Sequence, residues 1–107
     1  MTEQEAADVA KALGHPTRLA MIRLLRDSED GISASVFGKK CPGHGTLSKL
    51  NYHMLELKKA GVTTTEPVPG ARGWKRNLHR LTSDLGALAV KLVDDIDAAK
   101  MASPAVG

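Results

Sequence analysis

One stretch constrains the chain more than any other: Thr46 to Val62, TLSKLNYHMLELKKAGV, after which the residue pattern changes period. At 3.6 residues per turn, Leu47, Leu50, Met54, Leu57 and Val62 fall close to one face, with Leu55 at its edge. Ser48, Lys49, Asn51, Tyr52 and Glu56 point elsewhere, so the stretch predicts an amphipathic helix with a small, polar, cationic outer face. Lys58-Lys59-Ala60-Gly61 ends it, with a glycine where a left-handed cap is needed. Beyond Gly61, Val62-Thr63-Thr64-Thr65 is β-branched, Pro67 to Gly73 supplies a turn, and Trp74 to Leu81 alternates well enough to return as a second strand. A helix followed by a two-stranded hairpin is therefore the centre of the expected fold.

The segments before it read as three helices. Glu3 to Leu13 has Thr2 and Glu5 in capping-box register and an apolar strip of Ala6, Val9, Ala10 and Leu13. Gly14-His15-Pro16 breaks it, and Pro16 suits the first turn of a helix to Arg26 that buries Leu19, Ile22 and Leu25 or Leu24. Asp27 to Gly31 is a polar turn. Ser33 caps a short helix to about Lys40 with Val36 and Phe37 as buried candidates, and Cys41-Pro42-Gly43-His44-Gly45 ends it. Short helix, turn and longer polar-faced helix is the helix-turn-helix order, with a longer turn than usual. After the hairpin, Thr82 or Ser83 caps a last helix whose Leu85, Leu88, Ala89, Leu92, Val93, Ile96 and Ala99 form a continuous apolar stripe. Such a stripe is docked on its own domain or paired with a second copy, and pairing is the reading preferred. The expected organisation is one domain over residues 1–102 and a disordered tail over 103–107. Its class is mainly α with a small β-hairpin, about five helices plus a two-stranded wing.

Charge separates the function classes. The net +3 conceals a basic segment: between Lys39 and Arg80, nine Lys and Arg stand against two acids, a balance of +7, and the remainder balances at −4. Cations spread over forty positions decorate a folded surface, and such a surface meets a phosphate backbone. Ser48, Lys49, Asn51, Tyr52 and His53 on the long helix, with Arg72, Lys75 and Arg76 on the hairpin, are the candidate DNA-binding residues, the hairpin carrying its cations beside the helix like a wing. Val9, Leu85, Leu88, Leu92 and Ile96 are the candidate dimer contacts. A core with three aromatic residues, Phe37, Tyr52 and Trp74, must be built from aliphatic side chains, which favours helices. The single Cys41 excludes an internal disulfide and fits a reducing compartment, no apolar run approaches a membrane span, and the N-terminus is acidic where a secretion signal is basic. A cytoplasmic protein without membrane contact is the expectation. No phosphate-binding glycine loop, paired metal-spaced Cys or His, or activated nucleophile is legible, so no enzyme, no cofactor and no metal site are expected.

Two separated motifs carry a resemblance. Val9-Ala10-Lys11-Ala12-Leu13-Gly14-His15-Pro16-Thr17-Arg18-Leu19, with Ile22 and Leu24-Leu25, resembles the opening signature of the ArsR/SmtB family of bacterial winged-helix repressors. Ser48-Lys49-Leu50-Asn51-Tyr52-His53-Met54 through Leu57 and Ala60-Gly61-Val62 resembles the recognition helix of that family, followed by its glycine and arginine wing. The resemblance covers roughly residues 6 to 82. It implies a homodimer held by the first and last helices that binds an inverted repeat in double-stranded DNA as a repressor and leaves when an effector binds. Ser48 and His53 match the family pattern; Asn51 stands where a serine is common and Leu47 where a polar residue such as glutamine often stands. His15 matches the family's turn between helices.

Family members that sense metals or arsenic have a cysteine cluster near the third helix, or a terminal-helix pattern of Asp, His, His and an acid or histidine. This chain offers Cys41 and His44 in the first place, which cannot complete a tetrahedral site unless the partner subunit or other residues contribute, and Asp84, Gly86, Asp97 and Lys100 in the second, where glycine and lysine dismantle it. The expected effector is a small organic molecule, a redox event at Cys41, or none, with Lys39 and Lys40 favouring the thiolate. The competing functional classes are a winged-helix protein-interaction module and a metal- or redox-responsive sensor using Cys41.

Overall fold

The computed structural model describes residues 1–70, 73 and 75–102, with side chains as far as Lys100. Arg72, a candidate contact, Trp74 and the tail over 103–107 lie outside the described residues. Five helices and one hairpin follow in the order α1 (Glu3–Ala12), α2 (Pro16–Arg26), α3 (Ala34–Lys40), α4 (Leu47–Lys59), β1 (Thr63–Pro69), β2 (Lys75–Leu81) and α5 (Leu85–Ala102).

Local chemistry sets most of the boundaries. In α1 the capping box closes both ways: Thr2 Oγ1 accepts from Glu5 N at 3.1 Å, and Glu5 Oε1 accepts from Thr2 N at 2.9 Å. Pro16 opens α2, Ser33 Oγ accepts from Val36 N at the start of α3, and Thr46 Oγ1 accepts from Lys49 N at the start of α4. Gly61 has φ +80°, a left-handed backbone that favours glycine, and a Cβ there would also push the end of the Leu85 side chain, 2.6 Å away at Cδ1, aside. At Gly86 the constraint is space, because a Cβ there would approach the backbone oxygen Val62 O to 2.8 Å. Thr82 locks this corner: its hydroxyl donates to Gly61 O at 2.8 Å and accepts from Gly86 N at 2.7 Å.

Phe37, Met21, Ile22, Met54, Leu57, Val9, Val62 and Val93 are the largest side chains of the dry centre, to which every helix contributes, and Ala89 of α5 is buried beside them. Arg23 and Arg26 of α2 bridge to Asp97 and Asp94 of α5 at 2.7 and 2.6 Å, a half-exposed seam that solvent screens and that adds little to stability.

The hairpin departs from expectation. β1 runs on through Pro67 and Pro69, in register with Asn77 and Lys75, where a turn is expected from the prolines. Proline is tolerated there because β1 is the outer edge of the sheet and needs no N–H on its free side. The inner edge of β2 is covered instead: Ile32 N donates to His79 O at 3.0 Å and His79 N donates to Ile32 O at 2.8 Å. This single bridge before α3 fastens the wing to the helix-turn-helix, and nothing in the residue pattern around Ile32 announces it.

Candidate nucleic-acid interface

The inward face of α4 is narrower than its sequence implies. Leu50, Met54 and Leu57 are buried, but Leu47 is 53% and Leu55 46% exposed. Both belong to the outer surface together with Ser48, Lys49, Asn51 and Tyr52, all exposed. The buried positions of α4 thus reduce to Leu50, Met54 and Leu57, at steps of four and three residues, a stripe one residue wide.

A cleft of about 270 Å³ opens between the start of α4 and the wing, lined by Leu47 and Asn51 of α4, by Lys75, Arg76 and Asn77 of β2, and by the start of α3. Asn51 therefore shares one concave surface with the two wing cations, although 24 residues separate Asn51 from Lys75 in the chain. An amide that donates and accepts, beside two cations, is matched to a base edge flanked by phosphates.

His53 does something other than expected. It is half-buried, and Nδ1 accepts from Arg18 Nε at 3.0 Å. An arginine always donates, so Nδ1 carries no proton in this arrangement. Burial, and then the Arg18 charge, push the His53 pKa below its ordinary 6.5. Its ring also packs against His15 at 5.5 Å and edge-on to Tyr52 at 5.5 Å.

Arg18 is a residue that sequence reasoning did not single out. It is only 6% exposed, donates to Ala12 O at 3.2 Å as well as to His53, and holds its guanidinium 5.9 Å from the Tyr52 ring centre. A buried guanidinium needs such partners, and here they lock α2 to the back of α4 and orient Tyr52. The available signal was its register: Arg18 lies three, four and seven residues before Met21, Ile22 and Leu25, on the buried face of α2.

The expected dimer contacts divide. Val9 is fully buried in the protomer's own core, and Leu85 is nearly so, so neither has surface left to give a partner. Leu88 and Leu92 are half-buried and Ile96 is 37% exposed. The stripe on α5 is in fact two stripes: Leu85, Ala89 and Val93 at four-residue steps face inward, and Leu92, Ile96 and Ala99 line an outer groove with Ala10 and Leu13 of α1.

Among the described residues no three His, Cys, Asp or Glu side chains gather as metal ligands. Asp97 is held by Arg23, which keeps its carboxyl below the usual range, and His44 is hydrogen-bonded to Thr17 at 3.0 Å with its ring 5.5 Å from Phe37. Cys41 closes α3, half-buried against the edge of the core. No helix among the described residues is long and apolar enough to cross a membrane.

No family model matches the chain. It is 28% identical over 93 residues to an uncharacterized HTH-type transcriptional regulator of Methanocaldococcus jannaschii, a match covering 87% of this chain and 96% of that protein. An uncharacterized HTH-type transcriptional regulator of Bacillus subtilis is 38% identical over 63 residues, 59% of this chain and 61% of that protein. The crystal structure of an ArsR family transcriptional regulator superposes with a TM-score of 0.63 at 17% identity, covering 95% of this chain and 96% of that one. The chain thus has the winged helix-turn-helix fold of an ArsR family regulator, and its relatives in sequence are HTH-type transcriptional regulators.

Proposed function

We propose that the protein is a sequence-specific DNA-binding transcriptional regulator, a cytoplasmic homodimeric repressor without enzymatic activity. The observation that carries this reading is the cleft that joins Asn51 of α4 to Lys75 and Arg76 of the wing, on the segment with a charge balance of +7. In this reading α4 enters the major groove, Asn51 meets a base edge, and Ser48, Lys49 and Tyr52 contact the neighbouring backbone and bases. Lys75 and Arg76 neutralise phosphates beside the groove, and Arg72, three residues before Lys75 in the sequence, adds a further phosphate contact.

Dimerisation supplies the second half of the specificity. The apolar groove formed by Ala10, Leu13, Leu92, Ile96 and Ala99 suits self-pairing of α1 and α5, and it shares no lining residue with the DNA-reading cleft. A two-fold arrangement sets two copies of α4 about one DNA turn, roughly 34 Å, apart and requires an inverted-repeat operator. Fluorescence anisotropy with the duplex upstream of the protein's own coding sequence tests the proposal: saturable binding that steepens with falling salt and outlasts excess random duplex is expected. Binding no tighter than to random DNA overturns it.

A further inference from the structure

We infer that Leu47 is a specificity-determining residue that reads the 5-methyl group of a thymine within about two base-pair steps of the base met by Asn51. The inference rests on the DNA-binding reading above and adds a ligand chemistry to it.

Leu47 contributes little to the core. It is 53% exposed in the first turn of α4, a turn that Thr46 already caps, while Leu50, Met54 and Leu57 fill the interior from the same helix. A lone exposed leucine is ordinary on a protein surface; what distinguishes this one is its surroundings. It stands one turn from Asn51, on the same helix face, and lines the cleft that holds Lys75, Arg76 and Asn77. Leu55, one turn further and 46% exposed, continues that face and lines a second cleft with Asn51, Lys58 and Asn77. An amide thus lies between two exposed leucines, with Lys75 and Arg76 in one adjoining cleft and Lys58 in the other.

The complementary surface is anionic at its walls and has apolar points on its floor. The major groove of B-DNA has this character: phosphates border it, and thymine alone among the four bases presents a methyl group there. An acidic protein groove would satisfy the cations and can pair an amide through its backbone, but only the major groove repeats the paired donor and acceptor of adenine N6 and N7 between two fixed rows of phosphates. The spacing fits as well. Four residues of helix advance about 6 Å, and successive base pairs rise by about 3.4 Å, so Leu47 and Asn51 fall within about two steps of each other along the groove. The preferred half-site therefore contains an adenine and a neighbouring methyl-bearing thymine.

The test uses the full chain and duplexes that it selects from a random-sequence pool. Each thymine of the selected site is replaced in turn by deoxyuridine, which keeps the base pair and removes only the methyl group. At one thymine near the adenine contact, wild type should bind the uracil duplex about fourfold more weakly, the worth of one buried methyl. Leu47→Ala should bind the thymine and uracil duplexes equally, and Leu47→Met, which restores apolar reach, should recover the difference. Circular dichroism checks that both variants keep their helicity. A wild type indifferent to every uracil, or a Leu47→Ala variant with undiminished sensitivity, overturns the inference and leaves the DNA-binding reading standing. A wild type that selects no sequence at all, or binds an acidic polypeptide in preference to duplex DNA, overturns both.

Discussion

Two helices of this protein expose leucine or isoleucine, and the surroundings of those side chains are opposite in character. On α4, Leu47 shares its cleft with Lys75 and Arg76, and Leu55 lies in a second cleft with Lys58. On α5, Leu92 and Ile96 share theirs with Ala10, Leu13, Ala99 and an acid, Asp95. Apolar exposure alone does not specify a partner; the charge around it does. Cations with an amide suit nucleic acid, whereas an apolar groove at the edge of the acidic part of the chain repels phosphate and suits a second copy.

That contrast can be broken most severely on α5. Ile96→Asp places an uncompensated charge in the proposed seam at a position the protomer's own core does not use, so the monomer should keep its helicity while the dimer dissociates. Loss of the paired recognition helices should weaken operator binding by on the order of 100-fold or more, since most of a dimer's affinity comes from joining two half-sites. Sedimentation of wild type as a monomer at micromolar concentration would refute the assignment of the groove. Leu92→Asp is expected to do the same with some added cost to the fold, because Leu92 also packs on the core.

On the cationic side the effects are smaller and separable. Removing Lys75 and Arg76 together, each to alanine, should weaken binding to every duplex and reduce the magnitude of the salt slope by about two per half-site, about four for the dimer, one for each phosphate no longer neutralised. Asn51→Ala should leave that slope alone and cost about 1–3 kcal/mol per half-site, on the selected site only. An Asn51→Ala variant that loses affinity equally for random DNA would move Asn51 from base reading to backbone contact.

A further comparison is possible in pH. His53 and His79 both have pKa values lowered by burial, with Arg18 and Lys58 respectively adding to the effect. The unfolded chain therefore binds protons first as pH falls. Stability should be full above about 6.5, the ordinary histidine value, and decline as pH drops through the lowered folded values. Thermal melts from neutral to mildly acidic pH should show this decline, and His53→Gln should flatten part of it. Because protonated Nδ1 cannot accept from Arg18, operator affinity should fall over the same range. The smallest effect is expected at Cys41: Cys41→Ser should change stability by no more than about 1 kcal/mol, as for a half-buried side chain. Titrating the operator complex with zinc, arsenite and peroxide distinguishes the sensor readings: release by arsenite or peroxide in wild type alone makes Cys41 the sensor, and release by zinc in both proteins reveals a metal site elsewhere.

What the sequence by itself determined is the set of elements, because their ends depend on neighbours in the chain. Thr2 with Glu5, Pro16, Ser33 and Thr46 start helices through groups within three or four residues, and Gly61 ends one through its own backbone freedom. Tertiary structure alone decided which side of each element is used. A periodic stripe records which residues share a face but not how wide a neighbour covers it, so Val9 went to the core, Leu47 and Leu55 to the surface, and the α5 stripe split in two. The Ile32 bridge to His79 and Arg18 behind His53 arise from pairings across 47 and 35 residues of chain, and the course of β1 through its prolines from an edge left free in space. Such pairings form because buried polar groups must find partners wherever the packed helices leave them, a demand that acts on three-dimensional neighbours and leaves no period in the chain.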